Sequence, residues 1–138
     1  MVLGVALAGC GKKQEVQPAP APPAPSTMEV TINGQLKQWT PTKYETWSPG
    51  EKTLAVTGAD ADGRTAVTLS YRQGPYVTGW GELQLYQVEA KVNGQVVPVT
   101  LASHTISYDA ASKRLRGRFA TGAQSTLRIE NGSFDLQQ

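Results

Sequence analysis

One cysteine, one histidine and two phenylalanines stand among 138 residues, and each scarcity excludes a class of explanation. A single cysteine cannot form an intramolecular disulfide, so burial and strand pairing must hold the fold in any redox compartment. The lone histidine, His104, leaves no imidazole cluster to bind a metal, and neither metal nor cofactor is expected. Charge of one sign is not in excess. Thirteen Lys and Arg against eleven Asp and Glu give a net charge of +2, with no general attraction to nucleic acid. No apolar run approaches the roughly 20 residues that span a bilayer as a helix. A G-x-S-x-G elbow, a P-loop and a G-x-G-x-x-G fingerprint are all missing, and Gly79-Trp80-Gly81 is too short to stand for any of them.

What is present begins with an address. Residues Val2 to Leu7 are apolar, and Leu7-Ala8-Gly9-Cys10 resembles the lipobox of bacterial lipoprotein signal peptides. The resemblance implies cleavage between Gly9 and Cys10, transfer of a diacylglyceryl group to the Cys10 thiol, and a further amide-linked acyl chain such as palmitate. Two or more chains make membrane attachment stable where one does not. Signal peptides start with a positive segment, which Met1-Val2-Leu3 lacks, so an in-frame start encoding Lys or Arg is expected upstream. Gly11 after the cysteine, in place of aspartate, implies the outer membrane, on its periplasmic side. Residues 1–9 thus read as signal peptide and 10–27 as lipidated cysteine and tether. Pro18, Pro20, Pro22, Pro23 and Pro25 favour a polyproline II tether with a reach of roughly 50 Å.

Residues 28–138 read as a single β domain. The apolar pattern has period two, with Thr, Val, Leu and Tyr enriched and glycine turns at short intervals. Asn93-Gly94 is a two-residue hairpin signal that pairs Ala90 with Val97, Val88 with Val99 and Tyr86 with Leu101. Leu83 and Leu85 fall out of phase with Val88 and Ala90, which predicts a β-bulge near Gln87, and Pro98 predicts an edge strand. A four-residue loop, Asp60-Ala61-Asp62-Gly63, pairs Val56 with Val67 and Leu54 with Leu69. A third meander runs through Ile106–Tyr108, Leu115–Phe119 and Leu127–Ile129, with Asn131-Gly132 as either a turn or a bulge. The result is an all-β chain of about eight antiparallel strands, a sandwich or an open barrel.

The segments YDAASKRLRGRF and STLRIENGSFDL resemble the end of small β-sandwich-like domains of unknown function found in bacterial lipoproteins, with a weaker echo at Gly74-Pro75-Tyr76. The matching positions are turn and core residues, so the resemblance implies a fold and carries over no functional residue.

Several side chains invite a chemical reading. Asp60, Asp62 and Gly63 open like a calcium loop, but Arg64, Ala66 and Val67 occupy the next ligand positions, and a hairpin turn accounts for them better. Ser103 and His104 are adjacent on a strand, so their side chains face opposite sides and cannot form a catalytic pair. A carboxylate pair brought together by folding, such as Glu45 with Glu82, would suit glycosidase-type hydrolysis. Arg114, Arg116 and Arg118 alternate along a strand and should share a face, with Leu115 and Phe119 inward. Such a stripe holds phosphate or carboxylate groups, or is balanced by cross-strand acids, and Arg128 is placed to widen it. Trp39, Tyr44, Trp47, Tyr76 and Trp80 form either a platform for sugar rings or a protein partner, or the cover of an open end of the core. The expectation is a non-enzymatic envelope lipoprotein that binds or scaffolds an envelope protein or peptidoglycan. A proteinaceous inhibitor or immunity factor, presenting Tyr76 to Trp80 to an enzyme cleft, is the alternative, and a hydrolase the third reading.

Overall fold

The computed structural model describes residues 22–74 and 80–138, and among them there are ten strands and no helix. They are β1 (Thr27–Ile32), β2 (Gln35–Trp39), β3 (Thr42–Ser48), β4 (Glu51–Ala59), β5 (Ala66–Gln73), β6 (Gln84–Val92), β7 (Gln95–Val97), β8 (Leu101–Asp109), β9 (Arg114–Thr121) and β10 (Ile129–Gln137). Two five-stranded antiparallel sheets form, ordered β2-β1-β10-β9-β8 and β3-β4-β5-β6-β7. They pack face to face as a sandwich, which decides between the two expected architectures. The chain crosses between sheets after Trp39 and after Val97, at Pro41 and Pro98, where the missing amide donor suits a strand's end.

The core lies between the inner faces, with Val30, Leu54, Val56, Val67, Leu69 and Leu115 fully buried. Each such side chain contributes about 1.5–3 kcal/mol relative to exposure. Two positions allow unusually close packing. β9 carries Gly117-Arg118-Phe119 and β10 carries Gly132-Ser133-Phe134, and their register sets Gly117 opposite Phe134 and Gly132 opposite Phe119. Both phenylalanines of the chain thus lie over a bare glycine backbone, where an added Cβ would overlap the ring.

Several pairings differ from the sequence reading. Val56 pairs with Leu69 and Leu54 with Tyr71, two residues away from the expected partners. The loop is longer because Asp60 N donates to Thr65 O at 2.9 Å and Gly63 N to Asp60 O at 2.8 Å, closing the hairpin at Ala59 and Ala66. A shift of two keeps every side chain on its face, so the apolar pattern is satisfied either way. At Asn93-Gly94 the Ala90–Val97 pair forms, but β7 ends there. Val99 and Leu101 leave for the other sheet, where Leu101 pairs with Thr121, and Tyr86 is left 45% exposed. The bulge near Gln87 is present, with Ser70 opposite Gln87 and Tyr71 opposite Leu85. Asn131-Gly132 is a bulge within β10, not a turn. The count rises from about eight strands to ten because β1, β2 and β3 emerge from a stretch read only for its aromatics.

Replacing Gly117 by alanine is expected to lower unfolding stability by about 1–3 kcal/mol, because Phe134 must leave its seat. Gly74→Ala, where an added Cβ meets nothing among the described residues, should stay within about 0.5 kcal/mol of the parent. Equal urea midpoints for the two variants would show that the ring is not seated on Gly117.

Candidate functional site

Strand alternation sends Arg114, Arg116 and Arg118 to the outer face of the first sheet, while Leu115, Gly117 and Phe119 point inward. On that face Arg118 lies between Ser133 and Thr105, Arg116 between Asp135 and Ser107, and Arg114 between Gln137 and Asp109. The three arginines have different surroundings.

Arg114 is buried. Its Nε donates to Asp135 Oδ1 at 2.6 Å, and its terminal nitrogens donate to Gln137 Oε1 and the Ala24 carbonyl at 2.8 Å and to the Pro25 carbonyl at 3.1 Å. Ser26 Oγ accepts from Gln137 N at 2.9 Å. Arg114 therefore fastens residues 24–26, the expected end of the tether, to the sheet, with four of its five N–H donors engaged in doing so. The sequence reading that groups it with the other two as a binding residue is corrected by this burial. Arg116 is half exposed, and its Nε donates to Asp135 Oδ2 at 3.1 Å. Burial alone would raise the Asp135 pKa, but the hydrogen bonds from Arg114 and Arg116 outweigh it and hold the carboxyl below its ordinary value. Arg118 is exposed, and its guanidinium has no hydrogen-bond or ion-pair partner among the described residues.

Two hollows meet at Arg118 and Ser133. One, of about 370 Å³, is lined by Glu29, Ser103, Arg118, Asn131 and Ser133. The other, of about 320 Å³, is lined by Thr105, Ser107, Arg116, Arg118 and Asp135. Short hydroxyl side chains on β8 and β10 leave the arginines standing along β9 as a ridge, and the hollows beside them form a groove. Two β-bulges flank it, one between Glu29 and Thr31 in the β1–β10 pairing and one between Leu101 and Ser103 in the β8–β9 pairing. Bulges bend a strand and re-aim its side chains, and here they hollow an otherwise regular face. A guanidinium fork donates paired N–H groups to phosphate or carboxylate oxygens, and the surrounding hydroxyls add donors. Glu29, Ser133, Thr105 and Ser107 were not singled out in the sequence. Their alternate spacing along β1, β8 and β10 is the one signal that places them on this face.

The remaining candidates are dispersed. Trp39 is a core residue at 8% exposure, and its indole N–H donates to Asp60 Oδ1 at 2.8 Å. Lys37 Nζ meets Asp60 Oδ2 at 3.0 Å, so this aspartate is a structural acceptor in the hairpin loop. Tyr44 and Trp47 are exposed, but Tyr44 pairs with Ala55 on the outer face of the second sheet and Trp47 with Lys52 on its inner face. Trp80 is buried beside Trp47, and Tyr76 lies outside the described residues, as do Gly9 and Cys10. These aromatics do not form one platform. Arg128 sits just before β10, at the opposite end of that strand from the residue facing Arg116, and its backbone is tied to Asn33. Glu45 pairs with Lys43 at 3.4 Å, and Glu82 occupies the connection before β6 with φ of 59°. Among the described residues no three His, Cys, Asp or Glu side chains gather as metal ligands.

Ser103 faces the groove while His104 faces inward, where its Nε2 lies 2.8 Å from the Tyr71 hydroxyl of the other sheet. The two rings are 5.4 Å apart, and burial raises the Tyr71 pKa well above its ordinary value. The pair links the sheets within the core. Neither a family model, nor a curated protein, nor a solved structure matches the chain.

Burial holds the His104 pKa below 6.5, so the folded state disfavours the imidazolium. Its contribution is complete above the unfolded value of about 6.5 and is lost as pH falls below it. The urea midpoint is expected to fall between about pH 7 and pH 5, and His104→Gln should flatten that part of the profile. A parent profile as flat as the variant's would remove His104 as its cause.

Proposed function

We propose that this chain is an exported lipoprotein, lipidated at Cys10 and held at the outer membrane facing the periplasm. Its β domain binds an anionic envelope component through Arg116 and Arg118 and catalyses no reaction. The observation that carries the binding reading is the Arg118 guanidinium, unpaired among the described residues where two hydroxyl-lined hollows meet. Phosphate and carboxylate groups of cell-wall polymers and lipid headgroups match that chemistry. Glu29 and Asp135 at the rim accept hydrogen bonds from hydroxyls on the same molecules. The lipid reading rests on Leu7-Ala8-Gly9-Cys10 and the proline-rich stretch after it.

The R116Q/R118Q double variant leaves Arg114 and its fastening intact. It is expected to reduce retention on purified cell-wall sacculi or on phosphatidylglycerol vesicles by about tenfold or more, and to flatten the salt dependence. Unchanged retention and unchanged salt response would sink the groove as the site. Independently, radiolabelled palmitate should enter the full-length protein in cells and be absent from Cys10→Ala; labelling that survives this change would refute the lipid assignment.

A further inference from the structure

The two sheets end in four edge strands, β2 and β8 in the first and β3 and β7 in the second. An edge strand offers a row of backbone N–H and C=O groups to any other chain, and proteins guard such rows with charges, prolines, bulges or shortness. Three of these edges are guarded. Lys37 stands at the middle of β2, Lys43 and Glu45 stand on β3, and β7 is three residues long and runs into Pro98. The stretch of β6 that β7 leaves uncovered is bent by the bulge at Gln87. β8 is different: it has nine residues, with no proline or lysine, and its one carboxylate, Asp109, lies at its end. The bulge between Leu101 and Ser103 lies at its start, so its register beside β9 is unbroken from Ser103 to Asp109. Along that run Ser103, Thr105, Ser107 and Asp109 are exposed on the outer face, while His104, Ile106 and Tyr108 are half-buried on the inner one. Among the described residues β9 is the only strand paired with it.

We infer that β8 pairs with β8 of a second copy of this chain, antiparallel about a twofold axis at Ile106. An isologous pair must be complementary to itself, and this run is. Ile106 meets Ile106 of the second copy, His104 meets Tyr108, Thr105 meets Ser107, and Ser103 sets a hydroxyl against the Asp109 carboxylate. Inner side chains that one copy leaves half-exposed are covered, and no like charges face each other. Any other axis draws in the bulge or leaves part of the regular run unpaired. The same operation about the middle of β2 would set Lys37 against Lys37, and about the middle of β3 Glu45 against Glu45, each a like-charge pair. The pairing joins two five-stranded sheets into one of ten strands. On its outer face the row from Arg118 to Thr105 continues into Ser107 and Arg116 of the second copy. A floor of hydroxyls then lies between two arginine ridges about 14 Å apart. This last consequence rests on the groove reading, and it suits a polyanion that reaches both ridges.

The test is disulfide trapping of the full-length protein, in whole cells and after purification in detergent. Thr105→Cys/Ser107→Cys places thiols at exposed positions that the pairing sets opposite each other, about 4.5–5.5 Å apart between Cα atoms and within disulfide range. The parent, whose one cysteine is Cys10, sets the baseline. Oxidation with copper phenanthroline should raise the covalent dimer about fivefold or more above that baseline. Ser103→Cys, which lies about 20 Å from its own copy in this register, should stay at the baseline. Ile106→Cys, across the axis from itself, repeats the reading if the double variant fails a urea-unfolding check. Baseline dimer from both Thr105→Cys/Ser107→Cys and Ile106→Cys, or as much dimer from Ser103→Cys, overturns the inference. A disulfide to a different protein in place of the dimer overturns it in favour of a foreign strand. Trapping reads the pairing alone and retention on sacculi reads the arginines alone, so R116Q/R118Q should lose retention while a dimer is still trapped.

Discussion

Reciprocal seating of two phenylalanines on two glycines fixes the relation of β9 to β10, and the outer face of that sheet follows from it. Gly117 under Phe134 and Gly132 under Phe119 admit one register, since a slip by one residue would turn the slipping strand's ring to solvent and a slip by two would move both rings off their glycines. That register places Asp135 beside Arg116 and within reach of Arg114, and Ser133 beside Arg118. The same packing that fills the core thereby decides which arginine is neutralised and which is left without a partner among the described residues.

With no disulfide available, the sheets are joined by side-chain hydrogen bonds at the margins of an otherwise apolar core. The Tyr71 hydroxyl meets His104 from the opposite sheet, and the Trp39 indole reaches Asp60 at the β4–β5 loop. Gly58 lets Trp39 and Met28 approach β4 more closely than any side chain there would allow. Each contact satisfies a polar atom that burial would otherwise penalise, so these links contribute specificity as well as stability.

Much of this fold was legible in the alternation of apolar residues, and the misreadings share a physical origin. Period two assigns faces, and so it recovered the inward set of β4, β5 and β9 and the shared face of the three arginines. It cannot detect an even shift, which is why the β4–β5 register came out two residues off while the core residues were right. The edge strands β2 and β3 show no alternation: β3 is exposed along most of its length, and β2 buries only Trp39. The Asn-Gly dipeptide was ambiguous for a related reason. Both residues have positive φ at Asn33-Gly34 and Asn93-Gly94, which turn the chain, whereas of Asn131 and Gly132 only Asn131 does, at 52°. Gly132 is there to receive a ring. The burial of Arg114 depends on Asp135, Gln137 and the carbonyls of Ala24 and Pro25, partners that no pattern within β9 reveals.

The fastening of residues 24–26 to Arg114 and Gln137 also sets how the domain bears mechanical load. Tension applied through the preceding segment enters at the start of β1, beside the end of β10, and passes into β9 through Arg114. A ligand held at Arg118 would resist from the same strand, so the taut path runs through β1, β10 and β9 alone. The second sheet, whose strands pair only with one another, stays off that path.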